Sequence, residues 1–175
     1  MDWIIDERTR EKILNFKKDY EQAFEKELKQ LESISETARQ YISQRNQWKD
    51  AEALLDWISI LPSCIFRMNL FSRYHEVAGD KEIDFEALDT RCPKIEKEIR
   101  LKAETIRKDS MKGCKCRREM EKAAEKEFFG YLKDSGLWEN EEAVHELRCL
   151  LPICTLQYKL DERSYELRHK KETAI

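Results

Sequence analysis

Residues 48–76 and 138–166 align without a gap at an offset of ninety, and nine of the 29 positions are identical. The identical pairs are Trp48/Trp138, Glu52/Glu142, Ala53/Ala143, Leu61/Leu151, Pro62/Pro152, Cys64/Cys154, Leu70/Leu160, Arg73/Arg163 and Glu76/Glu166. Average residue usage would give about two matches by chance. Such a pattern restricts the chain to folds that can be built twice from one half. The differing pairs keep their chemistry. Asn46 aligns with Gly136, the two residue types that best tolerate the left-handed conformation ending a helix. Asp50 aligns with Asn140, both strong N-caps.

Each half reads as a long helix, a tight turn carrying a tryptophan, and a returning helix with a proline inside it. The first helix is expected from about Asp6 to Arg45, with apolar residues at Ile13, Phe16, Tyr20, Phe24, Leu28, Leu31, Ile34, Ala38 and Tyr41. Their mean spacing of 3.5 residues is that of a bundle seam. The third is expected to start near Pro93 and to continue through Ile95, Ile99, Ala103, Ile106, Cys114, Ala124, Phe128 and Tyr131. The returning helices are expected over about Ala51–Val77 and Glu141–Lys170, kinked at Pro62 and Pro152, whose missing N–H frees the carbonyls of Ile58 and Arg148. Cys64 and Cys154 are then small buried hydrophobes. The expected fold is all-α: an elongated four-helix arrangement in a single domain, made of two duplicated antiparallel hairpins, 1–88 and 89–175. With four glycines, three prolines and 39 % charged residues, the composition suits long helices with solvated faces.

A formal charge of −3 gives no global attraction to nucleic acid or an anionic membrane. The most apolar stretch, Leu54 to Phe71, is interrupted by Asp56, Arg67 and Asn69, so no membrane span is expected. The opening MDWIIDERTREK has neither a basic n-region nor an apolar h-region. Six cysteines then read as reduced thiols, and a cytoplasmic location is expected.

Four groups of residues carry chemistry worth placing. Arg100 to Lys122 holds nine basic and four acidic residues, and Arg107, Lys108, Lys112, Lys115, Arg117 and Arg118 form its candidate site for an anionic ligand or nucleic acid. No aromatic residues interleave there for stacking on bases. Trp3, Trp48 and Trp138 are candidate interface anchors, or caps on the ends of the bundle. Glu142, His145 and Cys149 share a helical face and make a weak metal candidate. The matching residues Glu52, Leu55 and Ser59 lack the histidine, which excludes a symmetric two-metal centre. Cys114 and Cys116 sit among Lys112, Lys115, Arg117 and Arg118: on an unbroken helix they belong to a surface turn and face about 200° apart, whereas a break at Gly113 would expose them as reactive thiolates.

Arg163 and His169 stand six residues apart, a spacing that resembles the Arg-x5-His motif of HEPN-type helical ribonucleases. That resemblance implies acid–base chemistry by His169 at a scissile phosphate. No Gly-rich phosphate loop or nucleophile elbow is present. Taken together, the pattern points away from an enzyme and away from a cofactor. It favours a helical module that binds another protein as adaptor, inhibitor or assembly subunit; the same faces suit a second copy of the chain in a homodimer. Nucleic-acid binding through the basic stretch is the second reading.

Overall fold

The computed structural model describes residues 3–86 and 94–173. Among these residues there are no strands, and the principal elements are six α-helices: α1 (Glu7–Gln44), α2 (Ala51–Ile60), α3 (Ile65–Ala78), α4 (Lys97–Asp134), α5 (Glu141–Leu150) and α6 (Thr155–Thr173). Single 3-10 turns, Gln47–Lys49 and Leu137–Glu139, precede α2 and α5. Pro93, where the sequence suggested a helix start, lies outside the described residues; α4 runs from Lys97.

Local chemistry explains the helix ends. Asp6 opens α1, its carboxylate accepting Thr9 N at 3.0 Å and Thr9 Oγ1 at 2.7 Å. Those bonds hold the Asp6 carboxyl below the ordinary range. After α1 the chain turns through Asn46 at φ 53°, and after α4 through Gly136 at φ 73°. These are the two positions where the sequence called for a residue tolerant of the left-handed region. Asp50 Oδ1 accepts Glu52 N and Ala53 N at 3.0 and 3.1 Å, and Asn140 Oδ1 accepts Glu142 N and Ala143 N at 3.0 and 3.2 Å. Both are N-caps that satisfy orphan first-turn amides.

The returning arms are not single kinked helices. α2 ends at Ile60 and α3 begins at Ile65, and α5 and α6 are separated in the same way by residues 151–154. The residue before a proline is driven out of the helical region, and Leu61 and Leu151 are extended at ψ 146° and 152°. The helices on either side then pack on each other. Arg73 Nε donates to Trp48 O at 2.9 Å and Arg163 Nε to Trp138 O at 3.3 Å. A straight helix would place residues 25 apart in sequence about 37 Å from each other, so each arm doubles back on itself. Side chains across the reversal cap the carbonyls that the prolines leave unpaired. Arg67 Nε reaches Ile58 O at 2.7 Å, and Gln157 Nε2 reaches Arg148 O at 3.3 Å.

The chain divides into two compact units, residues 1–25 with 115–175 (unit 1) and 26–114 (unit 2). This division differs from the halves 1–88 and 89–175 expected from the sequence. Doubling back is the reason: α2 and α3, with 10 and 14 residues, are each far shorter than the 38-residue α1. In unit 2 they pack around Ile34, Ala38, Tyr41 and Ile42 of α1 and around Ala103 and Ile106 of α4, with Trp57 fully buried. The unit 1 core gathers Ile13 and Tyr20 of α1, Ala124, Phe128 and Leu132 of α4, and Leu147, Leu156 and Leu160 of the reversed arm. Phe24 and Leu28 stay 43 % and 38 % exposed despite lying on the α1 seam. They flank the division at Glu25 and Lys26, between the last core residue of one unit and the first of the other.

A backbone clasp closes each unit. In unit 2, Lys94 N donates to Asp56 Oδ2 at 2.9 Å, Ile95 is buried, and Glu96 N donates to Tyr41 Oη at 3.4 Å. In unit 1, Ile4 N donates to Glu146 Oε2 at 2.9 Å, Ile5 is buried, and Asp6 N donates to Tyr131 Oη at 3.2 Å. Asp56 is buried, and the Lys94 amide is one of the partners its carboxylate needs away from water.

The turn geometry gives a stability prediction. A β-carbon at Gly136 would meet no atom within 4 Å, so substitution there carries only backbone strain. Gly136→Val is expected to lower unfolding free energy by about 1–2 kcal/mol, and Asn46→Gly by no more than a few tenths. Urea denaturation of the two variants measures both; equal losses would mean the turns are not strained alike.

Candidate interaction surface

The six basic candidates of α4 are not equally accessible. In unit 2, Arg107 Nη1 donates to Ser59 O at 2.5 Å, while Lys108 and Lys112 are exposed. In unit 1, Lys115 and Arg118 are exposed, but Arg117 is only 9 % exposed, its guanidinium 5.0 Å from the centre of the Phe24 ring. The sequence offers Arg117 as one of the candidate ligand-binding cations. It is buried with its guanidinium against Phe24 instead.

The tryptophans divide by position. Trp3 is exposed, with the Arg10 guanidinium 4.8 Å above its ring. Trp48 and Trp138 are half-buried on the turns. Trp48 stacks edge-on against Phe66 and donates Nε1–H to Ser43 Oγ at 2.9 Å. Trp138 lies against Phe129, with Lys133 and Arg163 over its ring. These two close the ends of the cores rather than standing free.

On α5, His145 Nε2 and Cys149 Sγ are 3.5 Å apart on an exposed face, as the spacing predicts. No group of three or more His, Cys, Asp or Glu side chains able to hold a metal occurs among the described residues. Arg163, one member of the Arg-x5-His pair, is committed to the turn: besides Trp138 O it pairs with Glu139 and Glu166. His169 packs its ring on Tyr165 at 4.0 Å. No described helix is long and apolar enough to cross a membrane.

Two features around the reversals were not anticipated from the sequence. The first is apolar exposure. In unit 2, Ile65 and Met68, three residues apart on α3, are 79 % and 68 % exposed. In unit 1, Ile153 at the reversal is 79 % exposed, and Tyr158 and Tyr165, seven apart on α6, are more than 60 % exposed. Helical spacing of three or seven keeps each pair on one face, opposite the core residues Phe66, Leu70, Leu156 and Leu160. Periodicity hides this feature, because these helices carry apolar residues on both sides.

The second is a pair of arginines in unit 2. Arg67 and Arg107 take the carbonyls of consecutive residues, Ile58 and Ser59, at the end of α2. Neither has a carboxylate partner among the described residues. Burial, followed by the charge of Arg107, pulls the Arg67 guanidinium below its ordinary pKa. A sequence reading could list both arginines but could not join residues forty apart.

Comparison with models of protein families, with curated proteins and with solved structures finds no match.

The thiols give the second prediction. Cys116 and Cys149 are exposed, Cys64 and Cys114 half-buried, and Cys154 buried, its thiol pushed up in pKa by desolvation. Cys64 is therefore less covered than its LPxC setting suggested. Brief alkylation of the native protein, read peptide by peptide, should label Cys116 and Cys149 first and Cys154 last, the latter slower by about 100-fold or more. Fast labelling of Cys154 would contradict its burial.

Proposed function

We propose that the chain is a non-enzymatic helical module that binds another protein, and that it is built from two copies of a ninety-residue helical hairpin whose returning arm is broken at proline. The observation that carries the binding reading is the apolar exposure at both reversals: Ile65 and Met68 in unit 2, Ile153, Tyr158 and Tyr165 in unit 1. Large apolar and aromatic side chains at helical spacing on an exposed face are what protein interfaces use as anchors. The copy reading is supported by the element bounds and bonds that recur at an offset of ninety. These include the left-handed turn, the Asx cap, the arginine on the tryptophan carbonyl and the clasp on residues 4–6 and 94–96.

Nucleic-acid binding is the competing reading, and of its six candidate cations Arg107, Lys108, Lys112, Lys115 and Arg118 are exposed. Arg117 is excluded from any charge-reversal test because it is buried.

The test compares wild type with two folded variants, Met68→Asp/Tyr158→Asp and Lys108→Glu/Lys112→Glu/Lys115→Glu/Arg118→Glu, in affinity capture with and without nuclease. The expected result is a nuclease-resistant partner, or self-association seen by sedimentation, that the apolar-face variant loses and the charge variant keeps. An anchor of this kind contributes about 2 kcal/mol, which is roughly thirtyfold in affinity. Saturable RNA binding near 0.15 M salt, abolished by the charge variant, would overturn the proposal.

A further inference from the structure

The reversal between α2 and α3 differs in charge from the one between α5 and α6, although Leu61 N on Trp57 O is matched by Leu151 N on Leu147 O. In unit 1 the first turn of α6 meets an internal anion. Glu121 Oε2 accepts Thr155 N at 3.3 Å while its Oε1 accepts the Tyr20 hydroxyl at 2.6 Å. At the offset of ninety, Leu31 stands where Glu121 would be and Ser110 where Tyr20 would be. Gln157, which caps the Arg148 carbonyl, is answered by Arg67, which caps that of Ile58. Unit 2 has thus exchanged a carboxylate for an apolar side chain and a neutral amide for a guanidinium. Arg107, one turn before Ser110 on α4, adds a second guanidinium on the adjacent carbonyl. The 14-residue α3 starts from Cys64, which makes no side-chain capping bond. Glu27 accepts the Ser110 hydroxyl at 3.0 Å.

We infer that this reversal in unit 2 is a binding site for a phosphomonoester, held by Arg67, Arg107 and the first-turn amides of Ile65 and Phe66. Each guanidinium spends one N–H on a carbonyl, that of Arg67 also lying 5.4 Å from the Phe71 ring centre, and the remaining N–H groups can serve a ligand. Arginine pairs with phosphate through parallel N–H bonds, and a helix N-terminus directs amides at the same group. A phosphomonoester carries about −1.5 to −2 charges at neutral pH, matching two guanidinium groups. A phosphodiester carries one and leaves the pair half-neutralised. This inference is independent of the apolar faces and stands if no protein partner uses them.

The experiment is an NMR titration of the full chain at constant ionic strength, following the amides of Ile65 and Phe66 and the Nε–H of Arg67 and Arg107. The probes are inorganic phosphate, phenyl phosphate, a phosphoserine peptide and dimethyl phosphate as the diester. Saturable shifts at these nuclei with the first three are expected. Arg67→Gln should weaken binding at least about tenfold, the loss of one charge-assisted contact. It should leave the fold intact, because Gln157 already caps the corresponding carbonyl. Arg107→Gln is the second variant and should weaken binding likewise. A phosphoserine peptide binding more tightly than phenyl phosphate would identify the ligand as a modified protein; parity would identify a small phosphate ester. Absence of saturation at these nuclei, unchanged affinity in folded Arg67→Gln, or equal binding of the diester would overturn the inference.

Discussion

A proline inside a helix withdraws one donor and disfavours helical geometry for its predecessor, and in this protein both effects are used in full. Pro62 and Pro152 do not bend a helix; they end one. Everything downstream depends on that. Because Leu61 and Leu151 are extended, α3 and α6 return along α2 and α5. Arg73 and Arg163 then reach the carbonyls of the turn tryptophans. The orphaned carbonyls acquire side-chain donors from the far side of the reversal. A defect of about 3 kcal/mol in an isolated helix becomes the corner around which each core is packed.

The reversals also decide which surfaces remain uncovered. A short helix doubling back can bury one face against its neighbour and the long helices, so the apolar residues on its other face are left in solvent. Ile65, Met68, Tyr158 and Tyr165 are in that position. The same corner brings residues of α2, α3 and α4 together in unit 2, which is how Arg67 and Arg107 come to share one helix end. The exposed apolar residues and the two guanidiniums at one helix end are two consequences of one backbone event.

Features determined by a few adjacent residues were legible in the sequence. Asn46 and Gly136 are left-handed and Asp50 and Asn140 are caps because those outcomes follow from local sterics and hydrogen bonding. The all-helical class followed from the seam and the scarcity of glycine. The reversal was not legible, because the motif that gives a kink when the flanking helices stay collinear gives a corner when their side chains can clasp each other. Arg117 is buried in contact with Phe24, more than ninety residues away, and no pattern along α4 contains that contact. Of the candidate site, Arg107 was identifiable as a cation, but its companion Arg67 was hidden in an apolar run.

The clasp on residues 4–6 and 94–96 has a consequence for how such a chain can vary. Its donors are main-chain amides, which every residue but proline possesses, so the contact is specified from one side only. The acceptors are constrained in kind: an acid at 56 and 146, a tyrosine at 41 and 131. On the donor side, isoleucine at 4 and lysine at 94 perform the same task with unrelated side chains. Two segments can therefore hold the same place in space while sharing little spelling. Likeness between the two halves of this molecule is better sought in what receives the backbone than in what the backbone carries.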